Sequence, residues 1–260
     1  MNQPRPRHRR PNSTRISIGI ILLVIGVSCF GLPDAIHAMT VGVKRTMTVR
    51  VSLFTGPIIA RAFLFNVPFR HQQHALSCEV ASLRTALAGI GIAVSEWDLW
   101  LQLPKDQTQK HVVAHQTVWG DPNQGFVGNV NGRMPKTGYG VFADPIMDVA
   151  QLYANPTRIR VDDGHAIDAA LAVRHPVIVW TVIGPLPPTS YHWTLPNGTR
   201  MDAPAYEHTV VVVGYRGTAD QMEGVYVVDP LTALRYESWD EFQARTAPFG
   251  HVGVEIGKKK

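Results

Sequence analysis

Apolar positions follow three different patterns along this 260-residue chain. Between Ile16 and Leu32, "ISIGIILLVIGVSCFGL" carries no charge at all. From Glu79 to Ala88 the apolar residues Val80, Leu83 and Leu87 recur every three or four positions, and Gly89 and Gly91 follow; this predicts a helix and its stop. "VSEWDLWLQL" comes next, with Ser95 and Asp98 spaced as an N-terminal cap of a second, short helix. "ADPIMDVAQLYA" and "DGHAIDAALAV" read as two more helices. In the second half the runs become short, β-branched and bounded by turn residues, as in "PVIVW" (176–180), "HTVVVVGY" (208–215) and "VYVVDP" (225–230), which is strand composition. The unbroken valines of 210–213 predict a strand buried on both faces. Helices first and strands later predict an α+β fold rather than a doubly wound sheet. The Gly/Pro/Asn-rich region from Trp119 to Gly140 reads as a long ordered loop.

Charge changes the picture at the ends. The formal net charge is +5, but Arg5, Arg7, Arg9, Arg10 and Arg15 fall in the first fifteen residues. Without these and Lys258, Lys259 and Lys260, 17 basic residues face 20 acidic ones. The body is near neutral, which removes the electrostatic footprint of a nucleic-acid-binding protein. A basic leader followed by the apolar run is the layout of a secretory signal or of a single membrane anchor, and "DAIHA" ends in a small residue suited to cleavage. Residues 1–38 are therefore read as leader plus signal or anchor, 39–65 as linker and 66–260 as the working domain, expected outside the cytoplasm or held to the membrane by 16–32. Cys29 lies in the apolar run, so Cys78 is the one thiol of the exported body and has no disulfide partner there.

That thiol stands at the start of the first predicted helix, where unpaired backbone N–H groups and the helix dipole favour a thiolate. His208 opens one strand and Asp229 closes the next, across "RGTADQMEG"; antiparallel pairing would set imidazole and carboxylate side by side. Cysteine, histidine and acid are the parts of a nucleophile, a base and the group that orients the base. Gln72, six residues before Cys78, could supply an oxyanion donor beside the Cys78 backbone N–H; its neighbour Gln73 could serve instead. Trp119, with Phe126 and Tyr139 in the long loop, and Trp193 before His208 are candidates for a substrate rim. His71, His74 and Cys78 have a spacing that could hold zinc, but such ligands would compete with the thiol, and no metal or cofactor is expected. Asp121 and Asn123 read as a turn rather than a calcium loop. Asn197 heads an Asn-Gly-Thr sequon.

Taken in order, "VPFRHQQHALSCEVASLRTAL", "WGDPNQGFVGN", "GYGVFADPI", "HPVIVW", "EHTVVVVGY" and "VYVVDP" resemble papain-like cysteine peptidases, specifically the bacterial bacteriocin-processing, double-glycine peptidases and their stand-alone relatives, over roughly residues 67–235. The resemblance implies a papain-like fold with the cysteine helix packed on an antiparallel sheet. It further implies Cys78 as nucleophile, His208 as base and acid, Asp229 as the histidine's partner and Gln72 as the oxyanion-hole glutamine, acting on a peptide or protein substrate. Processing members often follow the cysteine with glycine, whereas Glu79 follows here, a departure that bears on the double-glycine substrate rather than on catalysis. Two other functions use the same residues: acyl transfer to an amine, or a cell-surface binding module on a retired peptidase fold.

Overall fold

A computed structural model describes residues 62–64 and 66–259. The predicted leader, the apolar run 16–32 and nearly all of the predicted linker lie outside the described residues. Among those described, no helix is long and apolar enough to cross a membrane.

The fold is α+β and centres on one antiparallel sheet. Its strands are β1 (Ala62–Phe63), β2 (Asn155–Arg160), β3 (Val177–Val182), β4 (Glu207–Gly217), β5 (Met222–Asp229), β6 (Ala233–Ser238) and β7 (Val252–Gly257). They run in the order β6-β5-β4-β3-β7-β2, and β1 pairs with β4 at Tyr215 and Gly214. Every pairing is antiparallel. The valine run behaves as its composition demands: Val210, Val211, Val212 and Val213 are all buried at the centre of the sheet. Ala62–Phe63 falls in the stretch read as linker, yet it forms an edge of this sheet.

Among the described residues, five α-helices pack around the sheet: α1 (Cys78–Gly89), α2 (Glu96–Gln102), α3 (Ala143–Gln151), α4 (Gly164–Ala172) and α5 (Trp239–Thr246). Four match the sequence pattern; α5 follows β6 without a strong apolar period, and its Ser238 cap accepts from Glu241 N. Ser95 caps α2 as its spacing predicts, accepting from Asp98 N at 3.0 Å. α1 lies on β4 and is buried on every side except at Ala88. Val80, Leu83 and Leu87 fill the core, each stabilising it by roughly 1.5–3 kcal/mol through removal from water. Its polar residues are buried too, which is tolerable because they have partners. The Ser82 hydroxyl donates to Thr209 O (3.2 Å) and the Thr209 hydroxyl to Ser82 Oγ (3.1 Å), so α1 is fastened to β4 one residue from His208.

The region read as a long loop is more structured than its Gly/Pro content suggests. Within it, Phe126–Gly128 and Gly138–Gly140 pair and are joined by Lys105–Asp106 in a small sheet; outside it, His111–Val113, Gln116–Val118, Ser190–Thr194 and Arg200–Pro204 form another. Asp121 and Asn123 make the expected turn, with Asp121 Oδ1 accepting from both nitrogens of Asn123. Trp119, Tyr139, Trp193 and Leu195 build a second core beneath these strands.

Candidate active site

Cys78 is the first residue of α1. Ser77, at the cap position, makes no side-chain cap bond; its hydroxyl donates instead to Glu96 Oε1 at 2.6 Å. The helix therefore starts with uncapped N–H groups around the thiol, the geometry that serves an anion. The preceding loop is held by a buried network that sequence reasoning missed. Glu96 Oε1 also accepts from Gln73 N (2.9 Å). Glu96 Oε2 pairs with the Arg84 guanidinium at 3.3 Å, and Arg84 donates to His71 O at 3.0 Å. One carboxylate on α2 and one guanidinium on α1 thus fix residues 71–77.

His208 is the second residue of β4 and Asp229 the last of β5, and their antiparallel pairing brings His208 Nε2 to 2.9 Å from Asp229 Oδ1. Asp229 Oδ1 also accepts Leu231 N–H (2.8 Å), and Oδ2 accepts Arg235 Nε–H (3.1 Å). Burial alone would raise the Asp229 carboxyl. The hydrogen bond to His208, then the electrostatics of His208 and Arg235, and then the Leu231 amide outweigh it and hold the group well below the usual carboxylate range. Both side chains are almost fully buried.

Gln72, Cys78, Glu207 and His208 line one cavity of about 140 Å³, with Tyr206 and Leu231 in its wall. Three of the four predicted site residues thus share a cavity, and the fourth, Asp229, backs it through His208. Gln72 uses its side-chain N–H groups on His74 O (2.8 Å) and Ala75 O (3.1 Å), so in this state it closes its own loop.

The thiol departs from expectation. A helix N-terminus was expected to lower it; instead Cys78 is pushed well above its ordinary value, first by burial, then by the electrostatics of the neighbouring carboxyl groups of Glu79 and Glu207 and the hydrogen bond to Glu79. The Thr209 backbone bond pulls the other way and loses. The thiol donates to Glu79 Oε2 at 3.3 Å. Desolvation wins because the dipole of the first turn contributes only about 0.3–2 kcal/mol, whereas full burial can shift a group by several units. In this structure the thiol is turned to Glu79.

Glu79, Glu207 and Cys78 each bring a ligand-capable atom, all within 4.8 Å of one another, and form the metal-capable group among the described residues. Both Glu79 oxygens already accept protein donors, one from Val141 N at 2.7 Å and one from the thiol, so the arrangement fits a proton better than a metal ion. His71 and His74 do not join Cys78; their ring nitrogens meet Gln72 O and Asn131 Oδ1.

The structure does not bring the two tryptophans to this cavity. Trp119 and Trp193 are 2% and 5% exposed and pack on each other with centroids 5.4 Å apart. Trp193 Nε1 donates to Gly120 O. Large rings bury more apolar area in a second core than a rim would cover. Trp119 instead borders a separate surface groove with Lys105, Lys110 and Lys136.

A cysteine helix packed on an antiparallel sheet is the fold of papain-like cysteine peptidases. The chain belongs to the peptidase C39-like family, whose model matches residues 64–252. Among solved structures it is similar to a C39-like peptidase from Bacillus anthracis, with a TM-score of 0.62 and 25% identity, covering 76% of this chain and 98% of that one. The peptidase domain of Streptococcus ComA, a bi-functional ABC transporter of a quorum-sensing pathway, matches at 15% identity and a TM-score of 0.45, covering 74% of this chain and 99% of that one. A double-glycine motif protease from an AMS/PCAT transporter, solved with a leader peptide, matches at 14% and 0.43, covering 76% and 96%. No curated protein matches the sequence.

Proposed function

We propose that this cysteine peptidase cleaves peptide bonds through Cys78, His208 and Asp229. The observation that carries the reading is the buried 2.9 Å contact from His208 Nε2 to Asp229 Oδ1, on the wall of the cavity that also holds the Cys78 thiol. With Nε2 committed to Asp229, Nδ1 is the ring nitrogen left to exchange a proton with sulfur. The thiol turns from Glu79 towards His208 and gives Nδ1 its proton, and the thiolate attacks the substrate carbonyl. The Cys78 backbone N–H stabilises the oxyanion, joined by Gln72 once that amide releases one of its loop carbonyls. His208 protonates the leaving amine, and water, deprotonated by His208, hydrolyses the thioester.

The substrate is a peptide or protein segment. Export, or anchoring by residues 16–32, is part of the same proposal and is supported by the basic leader and the uncharged apolar run. Digestion of intact cells by an added protease, sparing the domain if it is cytoplasmic, tests it.

The catalytic assignment is tested on the full chain by alkylation of Cys78 against pH, read on the Cys78 peptide so that Cys29 does not interfere, with and without His208→Ala. Reactivity below pH ~7 that depends on His208 supports the triad, because an unassisted thiol ionises near ~8.5. Identical profiles in both proteins overturn it. Cys78→Ala is expected to abolish peptide hydrolysis while leaving the circular dichroism unchanged.

A further inference from the structure

Two buried carboxyl groups sit against Cys78, and the mechanism above uses neither. Glu79 is fully buried and Glu207 is 4% exposed. They converge over Gly140, where a Cβ atom would lie 2.6 Å from Glu207 Oε2 and 2.6 Å from Glu79 Oε1. Their hydrogen bonding is unequal. Glu79 accepts twice, from Val141 N and from the Cys78 thiol, as an ionised carboxylate does. Neither oxygen of Glu207 has a partner. An ionised, dehydrated carboxylate without a donor costs several kcal/mol, and the group takes a proton instead. A neutral Glu207 then has one O–H to donate, and the carboxylate beside it is its acceptor.

The other charged or titratable groups around the pair leave this division intact. Tyr139 gives its hydroxyl hydrogen to Pro204 O and is held neutral chiefly by burial. His208 and Arg235 are committed to Asp229, and Arg235 is also paired with Glu237. Tyr191, on the strand Ser190–Thr194, is likewise held in its neutral form, chiefly by burial.

We propose that Glu207 is a positioning residue of the catalytic centre: as a neutral acid it donates its proton to Glu79, and the Glu79 carboxylate so held takes the Cys78 S–H, parking the thiol away from His208 until Glu79 itself gains a proton. Burial raises Glu79 to about 7, so release falls near neutrality. As pH drops through that value one proton from solvent converts Glu79 to the acid and removes the negative charge beside sulfur. The thiol proton then passes to His208 Nδ1, leaving thiolate and imidazolium. The device favours the reactive pair on the acid side and restrains it on the alkaline side.

The experiment is the pH profile of Cys78 alkylation in the full-length chain, carrying Cys29→Ser, for three variants. Glu79→Gln removes the charge permanently and raises the alkylation rate at pH ~8 by about tenfold or more, the effect of one unit of thiol acidity. Glu207→Leu removes the donor, makes Glu79 easier to protonate and moves the transition to higher pH. Glu207→Gln restores an N–H donor and returns the transition towards that of the parent. If Glu207→Gln lowers the thiol's transition as much as Glu79→Gln does, Glu207 is the charged member and the proposal fails; it also fails if Glu79→Gln changes nothing. Infrared spectroscopy of the unmutated chain gives a second reading that no folding defect can spoil: a protonated-carboxyl stretch must persist at pH ~8, and its absence overturns the proposal. These readouts follow thiol acidity rather than turnover. They fail separately from the triad, which stands or falls on His208→Ala.

Discussion

Replacing Glu96 by alanine removes the anion on which the Cys78-bearing loop is hung. Glu96 and Arg84 have side chains 1% and 9% exposed and pair at 3.3 Å. Losing the carboxylate strands a guanidinium in the interior, and breaking one partner of a buried pair costs about 3–5 kcal/mol. Gln73 N–H and the Ser77 hydroxyl lose their acceptor at the same time. Hydrogen bonds to a charged group contribute about 1.5–3 kcal/mol each, but these share one acceptor and do not add to the pair in full. The expected net loss is about 4 kcal/mol, a large part of the ~5–15 kcal/mol that holds a domain together. Urea unfolding at pH ~7 measures it: with a slope near ~2 kcal/mol per molar, the midpoint falls by ~2 M. Glu96→Gln keeps an oxygen for Gln73 and Ser77 and is expected to lose about half as much. A loss below ~1 kcal/mol for Glu96→Ala, the size typical of exposed ion pairs, would refute the claim that this network fixes the loop.

Three further outcomes follow from the buried acids. Asp229 is depressed in the fold, so its contribution is present above its unfolded value near ~3.9 and disappears as pH falls below it; melting curves from pH ~2 to ~7 should show an acid-side loss that Asp229→Asn flattens. Glu79 is raised from 4.5 to about 7, so the folded state holds the proton more tightly and stability declines as pH rises through that window. The decline amounts to about 3 kcal/mol and should be absent from the pH dependence of Glu79→Gln melting. Gly140→Ala combines a φ of +139° with a Cβ that would meet both acids; a loss of about 2–4 kcal/mol by urea unfolding and a disturbed Cys78 alkylation profile are expected, and a neutral substitution would mean that the pair does not converge there.

Much of this protein was legible in one dimension because local physics wrote it there. The period of Val80, Leu83 and Leu87, the Ser95 cap and the valine run each specify an element whatever surrounds it. His208 opening one strand and Asp229 closing the next are joined by simple antiparallel pairing, so their contact needed no knowledge of the rest of the chain. The small strands between Lys105 and Pro204 were not legible. They are two to five residues long, too short for an apolar period, and several are held by partners distant in sequence, as Gln116–Val118 is by Ser190–Thr194 and Lys105–Asp106 by Phe126–Gly128. Trp119 and Trp193 were misplaced for a related reason: an aromatic in a polar segment looks like a rim until its partner, dozens of residues away, turns the pair into a core.

The thiol marks the boundary most clearly. Sequence alone determined that Cys78 begins a helix, and with it the expectation of an acidified sulfur. Only the tertiary structure decided that Glu207, from a strand 129 residues away in sequence, and Gly140, from a third segment, close over that helix start and exclude water. The helix dipole is a local property carried by the chain wherever the helix goes. Desolvation and the charge of a buried carboxyl pair belong to the assembled interior, and they are the larger effect.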